Sequence, residues 1–280
     1  ASLTGLLKFD DFAFTTVSCG NTYYSQATGD VGDAIWSTAM VGSPVAVNFT
    51  IGDNMVVQNL HTVTVNNDTY TRNLSVDAGG ELVIQDGIVM HVSGDEVIFD
   101  GDLTADAGST LSLESGLATI LESSGGPLDV FELRVNTPNG TLTDATINVV
   151  GTLLLQDGDF DASLGSVTLV SDANGTGRLG PVDPGASFTG DMTVQRYIPA
   201  GATNWRLLGS PVAGQTVEEW KDDFYTAGFP GSHSPGFSNP PGSGILWPSI
   251  RWYDETNTFA SVDSGLVGAT STAQSLAQGQ

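Results

Sequence analysis

The segment Asp157-Gly-Asp-Phe-Asp161 sets three carboxylates at i, i+2 and i+4. On an extended strand those side chains share one face, and a gathering of carboxylate oxygens is the donor set that a calcium ion takes. Asp157, Asp159 and Asp161 are therefore candidate calcium ligands. The spacing is not that of an EF-hand loop, whose twelfth position would be Thr168 here instead of Glu, and it does not recur in the nonapeptide rhythm of calcium-binding β-rolls. The competing reading is a set of solvated turn acids, because Asp and Gly are the residues that tight turns require. Asp100-Gly-Asp102, with Asp95 and Glu96 beside it, divides between the same two readings. No other cofactor is expected, and no residue is nominated as catalytic.

Other reactive side chains form no recognisable constellation. His61, His91 and His233 are far apart and lie in no ligand spacing with Cys or with one another, so they read as surface or turn histidines in preference to a zinc site. Cys19 is the only cysteine; it has no internal disulfide partner and no neighbouring His to make it a nucleophile. Ser210 sits in Gly209-Ser-Pro, which is not a Gly-x-Ser-x-Gly elbow, and no glycine-rich phosphate loop leads to a Lys. Trp205, Trp220, Trp247, Trp252, Tyr225, Tyr253, Phe229 and Phe237 read either as the core of a small domain or as a sugar-stacking or partner-binding face. The sequons at Asn48, Asn67, Asn73, Asn139 and Asn174 read as coincidence in a chain rich in Ser and Thr.

The charge limits the partners. With 32 Asp and Glu against 8 Lys and Arg the formal charge is −24, and Lys8, Arg72, Arg134, Arg178, Arg196, Arg206, Lys221 and Arg251 are scattered singly. A phosphate-binding groove needs clustered bases, so nucleic acid is excluded as a partner, and so are anionic membrane surfaces. Apolar runs are only a few residues long, which excludes membrane insertion through a hydrophobic helix. Such a charge also repels polyanionic substrates.

Composition then points to the elements that must hold these side chains. Asp supplies 24 of the 32 acids, and Gly is 35 of 280 residues, or 12.5% against a usual ~7%. Both are poor in helices and good in turns. Leu74-Ser-Val-Asp-Ala-Gly-Gly-Glu-Leu-Val-Ile-Gln-Asp-Gly87 aligns without gaps to Leu103-Thr-Ala-Asp-Ala-Gly-Ser-Thr-Leu-Ser-Leu-Glu-Ser-Gly116, at an offset of 29 in the numbering. The second half returns at Gly151-Thr-Leu-Leu-Leu-Gln-Asp-Gly158 and more loosely at Gly165-Ser-Val-Thr-Leu-Val-Ser-Asp172. Each unit reads as two short strands around a turn, with Leu74, Val76, Leu82 and Ile84 pointing inward. One strand pair cannot cover its own apolar face, whereas stacked units can.

The expected fold is therefore all-β: a right-handed parallel β-solenoid, or β-helix, with an N-terminal cap and a small C-terminal β domain. The hand is the steric expectation for parallel crossovers, and a coil of ~20–30 residues accommodates the offset of 29. Residues 1–40, with Phe9, Phe12, Phe14, Tyr23, Tyr24 and Trp36, read as an aromatic cap, and 41–198 as the repeats. Residues 199–280, rich in Trp, Gly and Pro, read as a separate β domain or second cap, with one short helix from Val217 to Tyr225 capped by Thr216. Ala1 opens without a basic and apolar leader, as a mature, processed N-terminus would.

Several segments taken in order carry a resemblance. Tyr23-Tyr-Ser-Gln-Ala-Thr-Gly-Asp30 followed by Trp36-Ser, then Gly52-Asp-Asn-Met-Val-Val and His61-Thr-Val-Thr-Val, resemble the opening of β-helical modules in secreted and surface proteins of Bacteroidota that use the type IX secretion system. Val194-Gln-Arg-Tyr-Ile-Pro199, Trp205-Arg-Leu-Leu-Gly-Ser-Pro-Val212 and Ile250-Arg-Trp-Tyr-Asp-Glu255 are similar to the block that follows in those proteins. The resemblance implies an extracellular or cell-surface location, a modular adhesin-like or filament-like architecture, and a C-terminal sorting domain. The tail Leu276-Ala-Gln-Gly-Gln280 resembles the start of a further strand, which implies a chain cut short or continuing beyond it.

The functional expectation is a structural or adhesive surface protein whose rigid solenoid displays partners or assembles into filaments. Its expected partners are further copies of itself, other surface proteins and glycans. The alternative is a polysaccharide-active β-helix enzyme or a carbohydrate-binding module. A groove on the solenoid flank holding two carboxylates, or calcium with an Arg, would favour the alternative; a flank of Ser, Thr and isolated Asp would favour the structural role.

Overall fold

A computed structural model describes residues 20–199, 207–210, 213–254, 256 and 265–276. The chain divides into two units, residues 1–199 and 200–280. In chain order the strands of the first unit are β1 (Thr22–Ser25), β2 (Gly29–Asp30), β3 (Trp36–Ser37), β4 (Asn54–Val57), β5 (Thr62–Val65), β6 (Thr69–Thr71), β7 (Leu74–Val76), β8 (Glu81–Ile84), β9 (Val89–Val92) and β10 (Glu96–Phe99). They continue with β11 (Asp102–Ala105), β12 (Thr110–Leu113), β13 (Thr119–Ser123), β14 (Leu128–Asn136), β15 (Thr141–Thr143), β16 (Thr146–Asp161), β17 (Ser166–Leu169), β18 (Arg178–Val182), β19 (Ala186–Thr189) and β20 (Met192–Val194).

Parallel pairing winds these strands into a β-solenoid of about seven turns with three faces. Face A stacks β1, β4, β7, β10, β13, β15, the end of β16 and β19. Face B stacks β2, β5, β8 and β11 as a separate four-stranded sheet, and beyond β11 the starts of β14 and β16, then β17 and β20, carry the face on. Face C stacks β6, β9, β12, the second half of β14, the middle of β16, and β18. The long strands β14 and β16 turn corners without losing extended backbone, so each serves more than one face.

Period-two alternation builds the core. The inward residues Met55, Leu74, Val97 and Leu121 form one ladder on face A, and Leu128, Ile147 and Val167 form another on face B. All belong to one buried cluster, in which Phe99 and Phe160 are fully enclosed. Burying a Leu or Val side chain is worth about 1.5–3 kcal/mol, and the stack repeats that gain at every coil. At the N-terminal end β3 runs antiparallel to β1, and Trp36 is buried edge-on to Phe49 with its indole N–H donating to the Val31 carbonyl oxygen. β1 and β2 already pair in parallel with β4 and β5, so the coil includes residues from Thr22 onward, ahead of residue 41. Phe9, Phe12 and Phe14 lie outside the described residues.

The pairing keeps the expected coil length and corrects the meaning of the offset of 29. Met55 pairs with Leu74, Leu74 with Val97, Val97 with Leu121, Leu121 with Thr143, Leu142 with Asp161, and Asp161 with Thr189. Successive turns therefore advance the numbering by 19, 23, 24, 22, 19 and 28. Leu103 lies beside Leu82, not Leu74. The offset of 29 superposes a strand of face A on a strand of face B, because it equals one turn plus one face. All three faces use the same local pattern of alternating apolar residues closed by an Asp/Gly turn, and the sequence repeat registers that pattern rather than the turn.

In the second unit, helix α1 (Val217–Asp223) begins with a capping box in which Thr216 and Glu219 satisfy each other's backbone donors. Strands β21 (Arg251–Tyr253) and β22 (Leu266–Gly268) pair antiparallel. Val217, Phe229, Ile250 and Ala269 form a small core, with Trp220, Phe224 and Trp252 packed against it.

Candidate functional site

The structure separates the three aspartates of the 157–161 segment in what they do. Asp157 occupies the corner between faces C and A, where its Oδ1 accepts the Gly158 N–H at 2.9 Å. Asp159 and Asp161 point outward from face A, on either side of the buried Phe160. Asp159 accepts from Ser187 Oγ at 2.8 Å and from Thr189 Oγ1 at 3.1 and 3.0 Å. Asp161 turns back to accept the Ser163 N–H at 2.9 Å, and hydrogen bonds from Ser163 hold its carboxyl below the usual carboxylate range. Among the described residues no group of three His, Cys, Asp or Glu side chains is placed to hold a metal ion.

The second acidic group is dispersed as well. Asp95 lies 3.8 Å from Arg72, Glu96 faces outward on face A beside Asn73, and Asp102 points outward on face B. Asp100 stays at a corner, where it accepts from Ser124 and stands near Asp77 one turn away. Burial, and after it the Asp100 carboxylate, pushes the Asp77 carboxyl above its ordinary range.

The histidines are placed singly. His61 shares a hydrogen bond with Ser25, His233 bonds Thr226 and stacks on Tyr225, and His91 lies on face C. Ser210 is buried and donates to Gln215 Oε1 at 2.7 Å, while Cys19 and Trp205 lie outside the described residues. The aromatic set of the second unit splits: Phe229 belongs to the core, Trp220 and Trp252 pack against it, Arg251 lies 4.0 Å over the Trp247 ring, and Tyr225, Phe237 and Tyr253 are exposed.

Face C carries the richest chemistry. On successive strands Thr69 and Thr71, Met90 and Val92, Leu111 and Leu113, and Leu133 and Val135 point inward. The residue between each pair must then point outward, which aligns Tyr70, His91, Ser112, Arg134 and Leu154 in one row. A parallel row holds Thr110, Glu132, Thr152 and Arg178. The Tyr70 and His91 rings stack at 4.2 Å with only 8° between their planes. His91 Nδ1 lies 2.8 Å from Glu114 Oε1, which also accepts from Ser112 Oγ at 2.7 Å. Arg134 donates to Glu132 Oε1 at 2.8 Å, the same oxygen that takes Thr110 Oγ1 at 3.4 Å, and Arg178 Nε donates to Thr152 Oγ1 at 3.2 Å.

Ser112, Thr110 and Thr152 are buried although they face outward. They lie beneath half-buried polar side chains, His91 and Glu114 toward one end and Glu132 and Arg134 toward the other. None of Tyr70, Ser112, Glu114 or Glu132 was singled out from the sequence. The signal that locates them is the near-constant step from Tyr70 to His91, Ser112, Arg134 and Leu154, each of which stands between two inward positions. Face A offers instead a shallow groove of about 200 Å³ along Thr22, Asn54, Asn73 and Glu96, linked by side-chain hydrogen bonds. Comparison with protein-family models, with curated proteins and with solved structures found no match.

Proposed function

We propose that this chain is an extracellular structural or adhesive surface protein whose solenoid acts as a stiff module for display or assembly. The observation that carries the reading is the outward surface of face B. Thr62 donates to Glu81, and Thr104 donates to the other oxygen of the same carboxylate, so three consecutive turns are tied by one Glu. Farther along, Asn148 donates to Asp129 and Ser166 to Thr146. Such rungs repeat along the axis instead of converging on one point, as a scaffold requires and a reaction centre does not. The surface is also strongly acidic, which keeps a long β face dispersed in a saline medium.

Two measurements test this reading. Protease shaving and immunogold labelling of intact cells of the source organism should find the chain at the surface, and confinement to the cytosol would overturn the location. Negative-stain microscopy of native material should show elongated particles or filaments, and compact dispersed monomers would overturn the scaffold role.

A further inference from the structure

We infer that the strip on face C, from Tyr70 to Arg178, binds a neutral polysaccharide chain lying along the solenoid axis. The inference deepens the adhesive reading and rests on it only for its setting, since the site is argued from local chemistry. Its accessible groups are the planar carboxylates of Glu114 and Glu132, the Arg134 guanidinium and the His91 imidazole, held in place by hydrogen bonds to one another and from the buried hydroxyls of Thr110 and Ser112. Planar groups with paired donors or acceptors match the vicinal hydroxyls of a sugar ring.

At the N-terminal end Tyr70 is 41% exposed, with its ring held against His91. A ring fixed in that way offers an apolar edge and a hydroxyl to a pyranose at little entropic cost. Arg178 stands exposed at the other end, with its Nε donating to Thr152 Oγ1, so its guanidinium is within reach of a ligand.

Charge selects the class of glycan. Glu114 and Glu132 are balanced in formal charge by Arg134 and Arg178, so the strip is close to electroneutral within a molecule of formal charge −24. An anionic polymer would meet repulsion from the rest of the surface and no net attraction here. The repeat selects a polymer over a small sugar. Successive strands lie ~4.8 Å apart, so the five strand steps from Tyr70 to Arg178 present rungs over about 24 Å. A linear chain of like units running along the axis meets several of these rungs, whereas a monosaccharide meets one.

The test is isothermal titration of the full chain with neutral oligosaccharide series (cello-, xylo-, manno-, laminari- and chito-oligomers) and with oligogalacturonate as the anionic probe. Expected is binding to at least one neutral series that tightens with chain length. Affinity should fall about tenfold in Tyr70→Ala and by a similar factor in Arg178→Ala, while Ile120→Ser on face A leaves it unchanged. Both test residues are exposed, and circular dichroism reports whether each variant keeps its β structure. No binding of any neutral series, preference for oligogalacturonate, or full affinity in folded Tyr70→Ala and Arg178→Ala would each overturn the assignment. Failure of the shaving experiment would leave this binding result standing, and the reverse also holds.

Discussion

Asp157 and Gly158 sit where β16 passes from face C to face A, and the glycine there has a φ of 78°. A Cβ at position 158 would run into the carbonyl oxygen of Thr137 on the turn below, which is backbone and cannot move aside alone. Gly158→Ala should therefore cost about 2–4 kcal/mol, from the left-handed backbone and the collision together, read as a lower urea midpoint at unchanged slope. Asp77 makes the opposite kind of case. Its folded carboxyl titrates above the unfolded value, so the folded chain holds the proton longer as pH rises. This group lowers stability as pH climbs from the unfolded pKa through the raised folded one. Asp77→Asn should unfold at a higher urea midpoint than the native chain near pH 7, and the gap should close at about pH 2.5, where both states are protonated. For Asp161 and Asp172, whose carboxyls are held low by hydrogen bonds from Ser163 and from Asn174 and Gly175, the sign reverses. Their contribution is present above the unfolded pKa and is lost as pH falls through the depressed one.

At the level of strands and turns, the pairing registers make a deletion experiment decisive. Removing residues 97–120 joins Glu96 to Leu121, which already pairs in register with Val97, so one whole turn disappears and every face keeps its order. Removing residues 74–102, the span of the sequence offset, joins Asn73 to Leu103 and places a strand of face B where face A belongs. The first deletion should still unfold cooperatively with a β-rich circular dichroism spectrum, and the second should lose the cooperative transition. This contrast also marks how far the sequence can be read. Alternation at Leu74 and Val76 or Leu82 and Ile84, with Asp/Gly turns between, is a local signal and identifies the solenoid. Which strand stacks on which is a question of length around a corner, and three faces with nearly the same local pattern hide the answer. The candidate calcium aspartates were visible as a spacing, but Gly158 turns the chain within it, and each carboxylate finds hydrogen-bond donors of its own. The face C strip is spread along the chain from Tyr70 to Arg178, one or two side chains per turn, and it emerges only once the length of a turn is known.

The acidity belongs to the molecule as a whole. Twenty-four uncompensated negative charges repel one another more in the folded chain than in the unfolded one. Raising sodium chloride from about 20 mM to about 0.5 M shortens the screening length several-fold, and the melting temperature should rise by a few degrees in scanning calorimetry; an unchanged or lower value would deny that repulsion a role in stability. The parallel ladders carry a mechanical consequence. Because the backbone hydrogen bonds between turns run along the solenoid axis, a pull on its two ends strips the terminal turn one bond at a time instead of shearing all turns together. Each turn would then release on the order of 65–95 Å of slack, at ~3.4 Å per residue, before the next turn is loaded. A module built this way yields under tension in steps, lengthening while the remaining turns stay folded.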